Sequence, residues 1–456
     1  MRRFLPDRLI HPSLLLWLSC LAYALGYAWL SLARFQTFHG QIDLSYYVRI
    51  VWGLSQGQYD VPLVQSPHLI GLHLEPILLP FAGLARLGVP IAPLLLVTQA
   101  VCVALWPQPI YRLACRHLGC SWRALGLALC GFLYPTVTVA TLHDVHPVTM
   151  ALPLLAAWLD ALDEGNLRRA LLWGLLALLC REDIALQQAL VLWALAVTQA
   201  QRRWMFAGLG LLLLAYFGVY IVAIQPRFLP KLGSYGLHFA SEGAKVSSGR
   251  DLLWLLVRHP LRFVLPLVTW DRAGYLLSLL WPLVGLPLLG WRVAVGTLPI
   301  VGINFLSSFP RVRSIESHYS TALVPFLLMA TVIALGKLRT ERGPRLQTPL
   351  TMAMLLGCLL SHVLHGGSPL ARRSSRYSHE LFVRTPDHDS LTARIASVPS
   401  QASVAARPGP LAHLADRPRV ISPPEYDDGQ PVDVVLTPDA APQGRARIGN
   451  LPLHSQ

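Results

Sequence analysis

Long apolar runs constrain this chain more than any other feature. Runs of about 18 or more apolar residues recur between residues 14 and 365, and a helix of that length crosses a hydrocarbon layer about 30 Å thick. Apolar residues make up 54% of the 456 residues and charged residues only 14%, against about 25% charged residues in an ordinary soluble domain. Because the surplus apolar surface has to face lipid, we expect a polytopic α-helical membrane protein.

The apolar runs predict about eleven transmembrane helices. They occupy residues 14–32, 91–106, 122–140, 148–162, 170–180, 184–198, 204–222, 273–290, 293–308, 321–335 and 349–364. The first run is too long for a signal peptide and lacks a cleavage site, so we expect an uncleaved first helix. Segments 74–89 and 263–270 are apolar but interrupted or short. We expect both at the outer interface of the membrane.

Basic residues in the short loops predict the orientation, because Lys and Arg are retained on the cytoplasmic side. One alternate set of loops contains Arg2, Arg3, Arg8, Arg112, Arg116, Arg123, Arg168, Arg169, Arg202, Arg203, Arg292, Lys337, Arg339, Arg342 and Arg345. The opposite set contains Arg34, Arg49, Arg86, Arg181, Arg311 and Arg313. We therefore expect a cytoplasmic N-terminus. The same loops explain much of the net charge of +14, so we expect no nucleic-acid partner.

The composition changes at residue 366, where the long apolar runs stop and Pro, Ser, Asp, His and Arg become frequent. We divide the chain there into a transmembrane domain, 1–365, and a soluble extracytoplasmic domain, 366–456. Local patterns in the second part predict helices at 389–395 and 410–415 and strands at 402–406, 419–421 and 433–436. They indicate a small α/β domain with a flexible tail from residue 440.

Ionisable residues gather in four of the predicted outer loops. They are Asp43, His73, Glu75, His143, Asp144, His146, Arg181, Glu182, Asp183, Arg311, Arg313 and His318, with Tyr319 beside them. Each one alone is equally explained as a polar loop residue or a helix cap, as Asp183 would be for the span after it. The set, however, mixes acids, imidazoles and bases as a reaction site does, whereas the inner loops contain mainly Arg and Lys.

Two kinds of chemistry fit these residue types. A carboxylate near the membrane surface can act as general base toward a hydroxyl, and Arg side chains can hold a phosphate by charge-assisted hydrogen bonds. The sequence His143-Asp144-Val145-His146 also allows a divalent metal ion, although Pro147 follows at once and the spacing matches no standard motif. The use of a metal therefore stays open.

Several short motifs carry a resemblance to a known family. They are IDLSYY at 42–47, WGLSQG at 52–57, GLHLEP at 71–76, His146-Pro147, REDIAL at 181–186 and HYS at 318–320. Over nearly the whole chain they resemble a prokaryotic family of predicted membrane proteins filed under domains of unknown function. That family is in turn similar to the C-type (GT-C) membrane glycosyltransferases, relatives of the protein mannosyltransferases and the aminoarabinose transferases of lipid A.

The GT-C resemblance implies an essential acid in the first outer loop, interfacial helices before the second span, a second acid after the third span and a polyprenyl-phosphate sugar as donor. Asp43 falls at the first acidic position and Asp144 near the second, and residues 72–84 would form the interfacial helix. The chain departs from many relatives where Leu44 follows Asp43 in place of a second acid. It also has Arg181-Glu182-Asp183 where a basic residue is expected near the sixth span.

The resemblance implies an inverting glycosyltransferase of a prokaryotic cytoplasmic membrane, which moves a hexose or pentose from a polyprenyl-phosphate carrier to an acceptor on the outer face. Asp43 would be the base and Asp144 would orient the acceptor or a metal. The expected substrate-binding residues are His73, Glu75, His143, His146, Arg181, Glu182, Asp183, Arg311, Arg313, His318 and Tyr319. Two alternatives are a transporter or lipid flippase, although no internal repeat is visible, and a non-catalytic protein of envelope assembly.

Overall fold

The protein is mostly helical. The computed structural model describes residues 11–63, 68–229, 254, 257–258, 269–307, 309–371, 377–423, 428–436 and 443–446. The helices before residue 230 are α1 Pro12–Gln36, α2 Ile42–Ser55, α3 Leu69–Leu72, α4 Leu79–Arg86, α5 Ile91–Leu105, α6 Pro107–Leu118, α7 Ser121–Leu133, α8 Pro135–Leu142, α9 Pro147–Glu164, α10 Leu167–Leu178, α11 Ile184–Thr198, α12 Arg203–Val219 and α13 Gln225–Phe228. Those after residue 269 are α14 Trp270–Leu280, α15 Trp291–Ala294, α16 Leu298–Leu306, α17 Val324–Arg342, α18 Gln347–His365, α19 Pro386–Ala396 and α20 Pro408–Leu411.

Six helical stretches are long and apolar enough to cross a membrane. They are Pro12–Gln36, Ile91–Leu118, Ala200–Phe228, Leu286–Leu306, His318–Arg342 and Pro344–His365. A seventh is present if α7 and α8, which meet at 47°, count as one span. Pro135 explains this bend, because Tyr134 before it adopts an extended conformation with ψ 122°. The fold is therefore mostly helical and consistent with a polytopic membrane protein, with six or seven candidate spans in the described chain; the predicted eleven are not confirmed.

The remaining predicted spans take other forms. Segments 148–162, 170–180 and 184–198 form α9, α10 and α11, which are too short or too charged to count among these spans. Segment 273–290 is not one helix, because α14 ends at Leu280 and Val284 and Gly285 then adopt positive φ angles of 53° and 68°. Pro282 and Pro287 fall in this break and remove two backbone donors.

The predicted interfacial segment 74–89 contains only a short 3-10 turn and the eight-residue α4. A helix of that length extends about 12 Å, which is too short for a span. The other predicted interfacial segment, 263–270, lies outside the described residues except for its last two.

Local sequence determines where the helical hairpins turn. Gly165 ends α9 in the left-handed region at φ 77°, which glycine adopts without a steric penalty. Asn166 then caps α10, and its side-chain oxygen accepts a hydrogen bond of 3.2 Å from the Arg169 amide. The two helices consequently run antiparallel, and the start of α9 and the end of α10 lie at the same end of the molecule.

The core forms around α17. In its most apolar window 83% of the residues are buried, against 17% for α1 and for the α12 region. Phe326, Leu328 and Met329 of α17 are fully buried, whereas α1 and α12 expose many large apolar side chains, as lipid-facing helices do. Helix α17 is thus the central helix, and the 3-10 segment His318–Leu323, which starts at one of the predicted site residues, leads directly into it.

The C-terminal segment contains a four-stranded sheet. Its strands are β1 Val404–Ala406, β2 Val420–Ile421, β3 Val432–Leu436 and β4 Gln443–Ala446, in the order β2-β1-β3-β4. β1 pairs in parallel with β2 and β3, and β4 pairs antiparallel to β3. Helix α19 covers the predicted helix 389–395, whereas α20 covers only residues 410 and 411 of the predicted helix 410–415. Strand β4 lies within the segment predicted to be a flexible tail.

This C-terminal segment packs against α1 and α2. The Arg49 guanidinium donates a hydrogen bond of 2.7 Å to the Pro418 carbonyl, and the Ser45 hydroxyl donates one of 3.0 Å to the Pro408 carbonyl. The His413 ring stacks on Phe35 at 3.7 Å between centroids. Because Leu411, Leu414 and Val404 belong to the main apolar cluster, the segment is a continuation of the core that supports α2.

Candidate functional site

Asp43 lies in the first turn of α2, next to three histidines from two other parts of the chain. Its Oδ2 lies 3.3 Å from His146 Nε2 and 3.9 Å from His143 Nε2. The Asp43 side chain is 36% exposed, whereas that of His146 is only 8% exposed. The carboxylate is therefore accessible to a ligand, and the imidazoles behind it are held by the protein.

The three imidazoles form a stack. The rings of His146 and His318 lie 3.7 Å apart between centroids, and His143 lies 5.2 Å from His318 and 5.7 Å from His146, all nearly parallel. The Tyr319 ring extends the stack, 4.1 Å from His318. Nitrogens of parallel stacked rings do not point at a common centre. Within the described residues, accordingly, no group of three or more His, Cys, Asp or Glu is arranged to hold a metal ion.

The protonation of this cluster follows from its surroundings. Burial opposes ionisation of Asp43, but the hydrogen bond from His146 and the neighbouring imidazoles outweigh it and lower the pKa of Asp43. Burial lowers the pKa of His143 to about 4. At neutral pH Asp43 is thus an ionised carboxylate beside a neutral His143, which is the form that a general base requires.

Asp144 lies behind this surface and binds the backbone. Its side chain is 1% exposed, and its oxygens accept hydrogen bonds of 2.9 and 3.0 Å from the Gln41 amide and 3.1 Å from the Leu44 amide. Arg34 Nη1 lies 3.5 Å from Oδ1. These amides are orphan donors at the start of α2. The geometry does not support direct contact of Asp144 with an acceptor or metal, because its oxygens are already occupied.

Gln99 holds the loop that carries His143 and His146. From the middle of α5 its amide nitrogen donates to the carbonyls of Ala140, Thr141 and Asp144 at 3.2, 3.2 and 2.8 Å. Its oxygen accepts from the His146 amide at 2.8 Å. The sequence analysis missed this residue, although a polar amide inside an apolar span is itself a signal of a structural or functional role.

A second acidic group borders the histidine stack. The Tyr47 hydroxyl donates a hydrogen bond of 3.0 Å to Glu75 Oε1, and the edge of the Tyr47 ring lies against His146 with centroids 6.2 Å apart. Burial raises the pKa of Glu75 to about 7, with His73 and Tyr47 opposing that shift. Tyr47 therefore connects Glu75 to the Asp43 cluster, a connection that the sequence did not predict.

His73 and Glu182 form a buried ion pair beside Glu75. His73 Nδ1 donates to Glu182 Oε1 at 2.9 Å, and the Leu74 amide donates to Oε2 at 2.8 Å. Burial disfavours both charges, yet the pair raises the pKa of His73 and lowers that of Glu182. An imidazolium is thus held close to Glu75, so the structure brings the first and third predicted loops together.

The predicted arginines have different surroundings. Arg181 makes a bidentate ion pair with Asp183 at 2.7 and 2.7 Å. Asp183 makes no side-chain cap for α11, so the alternative explanation of this residue as a helix cap does not hold. Arg313 is 8% exposed and donates to Asp271 at 2.5 Å and to the Ser307 carbonyl at 2.6 Å. Arg313 therefore anchors its loop to the end of α16, whereas Arg311 is exposed to solvent.

The assembled site presents an accessible carboxylate, a row of imidazoles and basic groups at one end of the helical bundle. A family model described as a predicted membrane protein, DUF2079, matches residues 11–447. No curated protein matches the sequence. Because the family match covers nearly the whole chain, including every residue of the site, the chain belongs to the DUF2079 family of predicted membrane proteins.

Proposed function

We propose that this protein is an integral membrane glycosyltransferase in which Asp43 is the general base. The acceptor hydroxyl gives its proton to Asp43, and its oxygen attacks the anomeric carbon of a polyprenyl-phosphate sugar. The bond from that carbon to the phosphate oxygen breaks, and polyprenyl phosphate leaves with the electron pair. The observation that carries the proposal is the accessible Asp43 carboxylate with His146 at 3.3 Å, which is ionised at neutral pH.

The leaving phosphate needs positive charge and hydrogen-bond donors. The His73 imidazolium, Arg181 and the exposed Arg311 supply them, and the imidazole edges of His143 and His318 line the remaining side. Asp144 positions Asp43 by fixing the start of α2, and Arg313 positions its loop. Glu75, protonated or ionised near neutral pH, is placed to exchange protons with Tyr47 and the neighbouring histidines.

The proposal also assigns the protein an orientation in a membrane. The excess of Arg and Lys in alternate loops supports a cytoplasmic N-terminus and an extracytoplasmic site. The chain would then lie in a prokaryotic cytoplasmic membrane, with residues 366–456 outside as a domain that covers α2. The donor would be reached from within the membrane and the acceptor from the outer aqueous side.

A transporter or lipid flippase is less well supported. Such proteins have polar or broken segments near the middle of the membrane. The middle of the central helix α17 contains Leu327, Leu328, Met329 and Ala330, which are apolar and buried. The acids and histidines of the site instead meet at the end of the bundle where α2, α9 and the α17 span begin.

The test is the substitution Asp43→Asn in purified protein reconstituted with a panel of polyprenyl-phosphate hexoses and pentoses and a membrane extract as source of acceptors. Mass spectrometry follows donor consumption. We expect the variant to lose at least a hundredfold in rate, since a positioned base contributes about 10²–10⁴-fold. Asp60→Asn, an exposed carboxylate after α2, is the matched control and should keep the rate. Equal rates for wild type and Asp43→Asn would overturn the proposal.

A further inference from the structure

A second charged cluster lies at the opposite end of the same helices. The α17 span begins at His318 and includes Lys337 19 residues later, a distance of about 28 Å along a helix. Likewise α9 begins beside His146 and contains Asp160 and Asp163 in its last turns. Since a hydrocarbon layer is about 30 Å thick, this cluster lies at the other membrane surface from Asp43.

The carboxylates of this second cluster are already paired. Asp160 is fully buried and accepts from Arg112 at 2.8 Å and from Arg116 at 2.6 Å. Asp163 lies 3.1 Å from Arg116 and 2.8 Å from His117. The two acids are therefore neutralised by the basic residues of α6, and they do not supply negative charge to their neighbours on α15 and α17.

A cavity of about 400 Å³ opens beside these pairs. Its lining includes the buried side chains of Leu159 and Met329 and, in more exposed positions, Arg292 and Lys337 together with His117 and Asp163. Within the described chain neither Arg292 nor Lys337 pairs with a carboxylate; the Lys337 ammonium donates to the Leu289 carbonyl at 3.0 Å. The cavity thus has an apolar interior and a positively charged opening.

We propose that this cavity binds an anionic phospholipid of the leaflet opposite to Asp43. One acyl chain occupies the apolar interior, and the phosphate contacts Arg292 and Lys337 at the rim. Basic pockets between transmembrane helices recognise acidic headgroups through charge-assisted hydrogen bonds. Four Arg and Lys groups face two carboxylates in this cluster, so a net negative headgroup is favoured over a zwitterionic one. The apolar lining selects a lipid over a free phosphate ion.

This lipid site is independent of the proposed sugar transfer. A lipid bound there would contact the ends of α6, α9 and α17. Because α9 begins beside His146 and the α17 span begins at His318, a bound lipid would stabilise two of the helices on which the histidine stack is built. Binding of a ligand to the folded state raises the free energy of unfolding by mass action.

The test uses the full chain in detergent and native mass spectrometry. Phosphatidylglycerol is titrated against phosphatidylcholine with the same acyl chains, and inorganic phosphate is the soluble competitor. We expect phosphatidylglycerol to bind about tenfold more tightly than phosphatidylcholine and to resist millimolar phosphate. The double variant Arg292→Gln and Lys337→Gln should lose that preference. Arg345→Gln, an exposed basic residue near the same surface, is the matched control and should retain it.

Two results would overturn the proposal. One is equal affinity of wild type and double variant for phosphatidylglycerol; the other is displacement of the lipid by phosphate alone. Should the double variant misfold, wild-type protein can be labelled with phosphatidylglycerol that carries a photoreactive acyl chain. Crosslinks are expected within 191–199 and 329–337. Crosslinks confined to the lipid-facing helices α1 and α12 would equally contradict a built site.

Discussion

Removal of the Asp144 carboxylate tests the support of the candidate base most directly. In Asp144→Ala the amides of Gln41 and Leu44 lose their side-chain acceptor, and Arg34 is left buried without that partner. Breaking a buried pair costs about 3–5 kcal/mol. Residue 144 also has a φ of 50°, a region that costs alanine about 1–2 kcal/mol but is tolerated by Asp and Asn. Since these effects overlap, we expect a loss of about 4 kcal/mol.

The matched variant is Asp144→Asn. Asparagine tolerates the left-handed backbone and retains one carbonyl oxygen for the Gln41 and Leu44 amides. The negative charge and the acceptor oxygen that face Arg34 are lost. A hydrogen bond to a charged group exceeds one to a neutral group by about 1–2 kcal/mol. We therefore expect Asp144→Asn to lose about 1–2 kcal/mol, which is clearly less than the alanine variant.

Hydrogen–deuterium exchange followed by mass spectrometry measures these effects where they occur. A peptide of residues 38–46 should exchange about a thousandfold faster in Asp144→Ala and about tenfold faster in Asp144→Asn, because each 1.36 kcal/mol corresponds to a factor of ten. A peptide of residues 160–168, at the other end of α9, should not change. Unaltered exchange of residues 38–46 in the alanine variant would refute the argument that Asp144 caps α2.

Three further predictions concern the surroundings of the site. Glu75 has a folded-state pKa raised to about 7, so the folded protein holds an extra proton and its stability falls as pH rises from about 4.5 through 7. Glu75→Gln should therefore raise the melting temperature at pH 8 and not at pH 5. An equal change at both pH values would contradict the raised pKa of Glu75. Glu182→Gln breaks the buried pair with His73 and should cost about 3–5 kcal/mol in denaturant unfolding, whereas Glu164→Gln, in an exposed pair, should cost less than about 1 kcal/mol. Gln99→Leu removes four hydrogen bonds of the histidine loop and should lower both the melting temperature and the transfer rate; an unchanged rate would remove Gln99 from the support of the site.

Apolar composition predicted the fold class correctly but overcounted the spans. Runs such as 91–106 and 184–198 became helices with nearly the predicted bounds, because helix formation in an apolar run depends on local hydrogen bonds that the residues themselves provide. Segment 273–290 broke at Val284 and Gly285. Apolarity alone does not distinguish a continuous span from short turns that pack against α17, since both kinds of segment are equally rich in apolar residues.

The candidate site was predicted only as a set of residue types. The motifs identified Asp43, His146 and His318, and the structure brings both Asp43 and His318 within 4 Å of His146. Sequence patterns could not predict that Asp144 binds the backbone of α2, because the amides it contacts belong to residues about a hundred positions earlier. Tyr47 was missed because its contacts with Glu75 and His146 exist only in the folded chain. Gln99 was missed although a polar amide inside an apolar span is a signal that the sequence contains.

The sequence by itself determined that this protein is a bundle of helices in a membrane, because burial of long apolar runs in lipid requires no knowledge of their neighbours. It also determined which residue types are available near the ends of those helices. Only the tertiary structure decided which of two adjacent acids is accessible. Asp43 points outward beside the imidazoles and Asp144 points inward to the amides, since the left-handed backbone at Asp144 and the packing of α2 against that loop set the two directions.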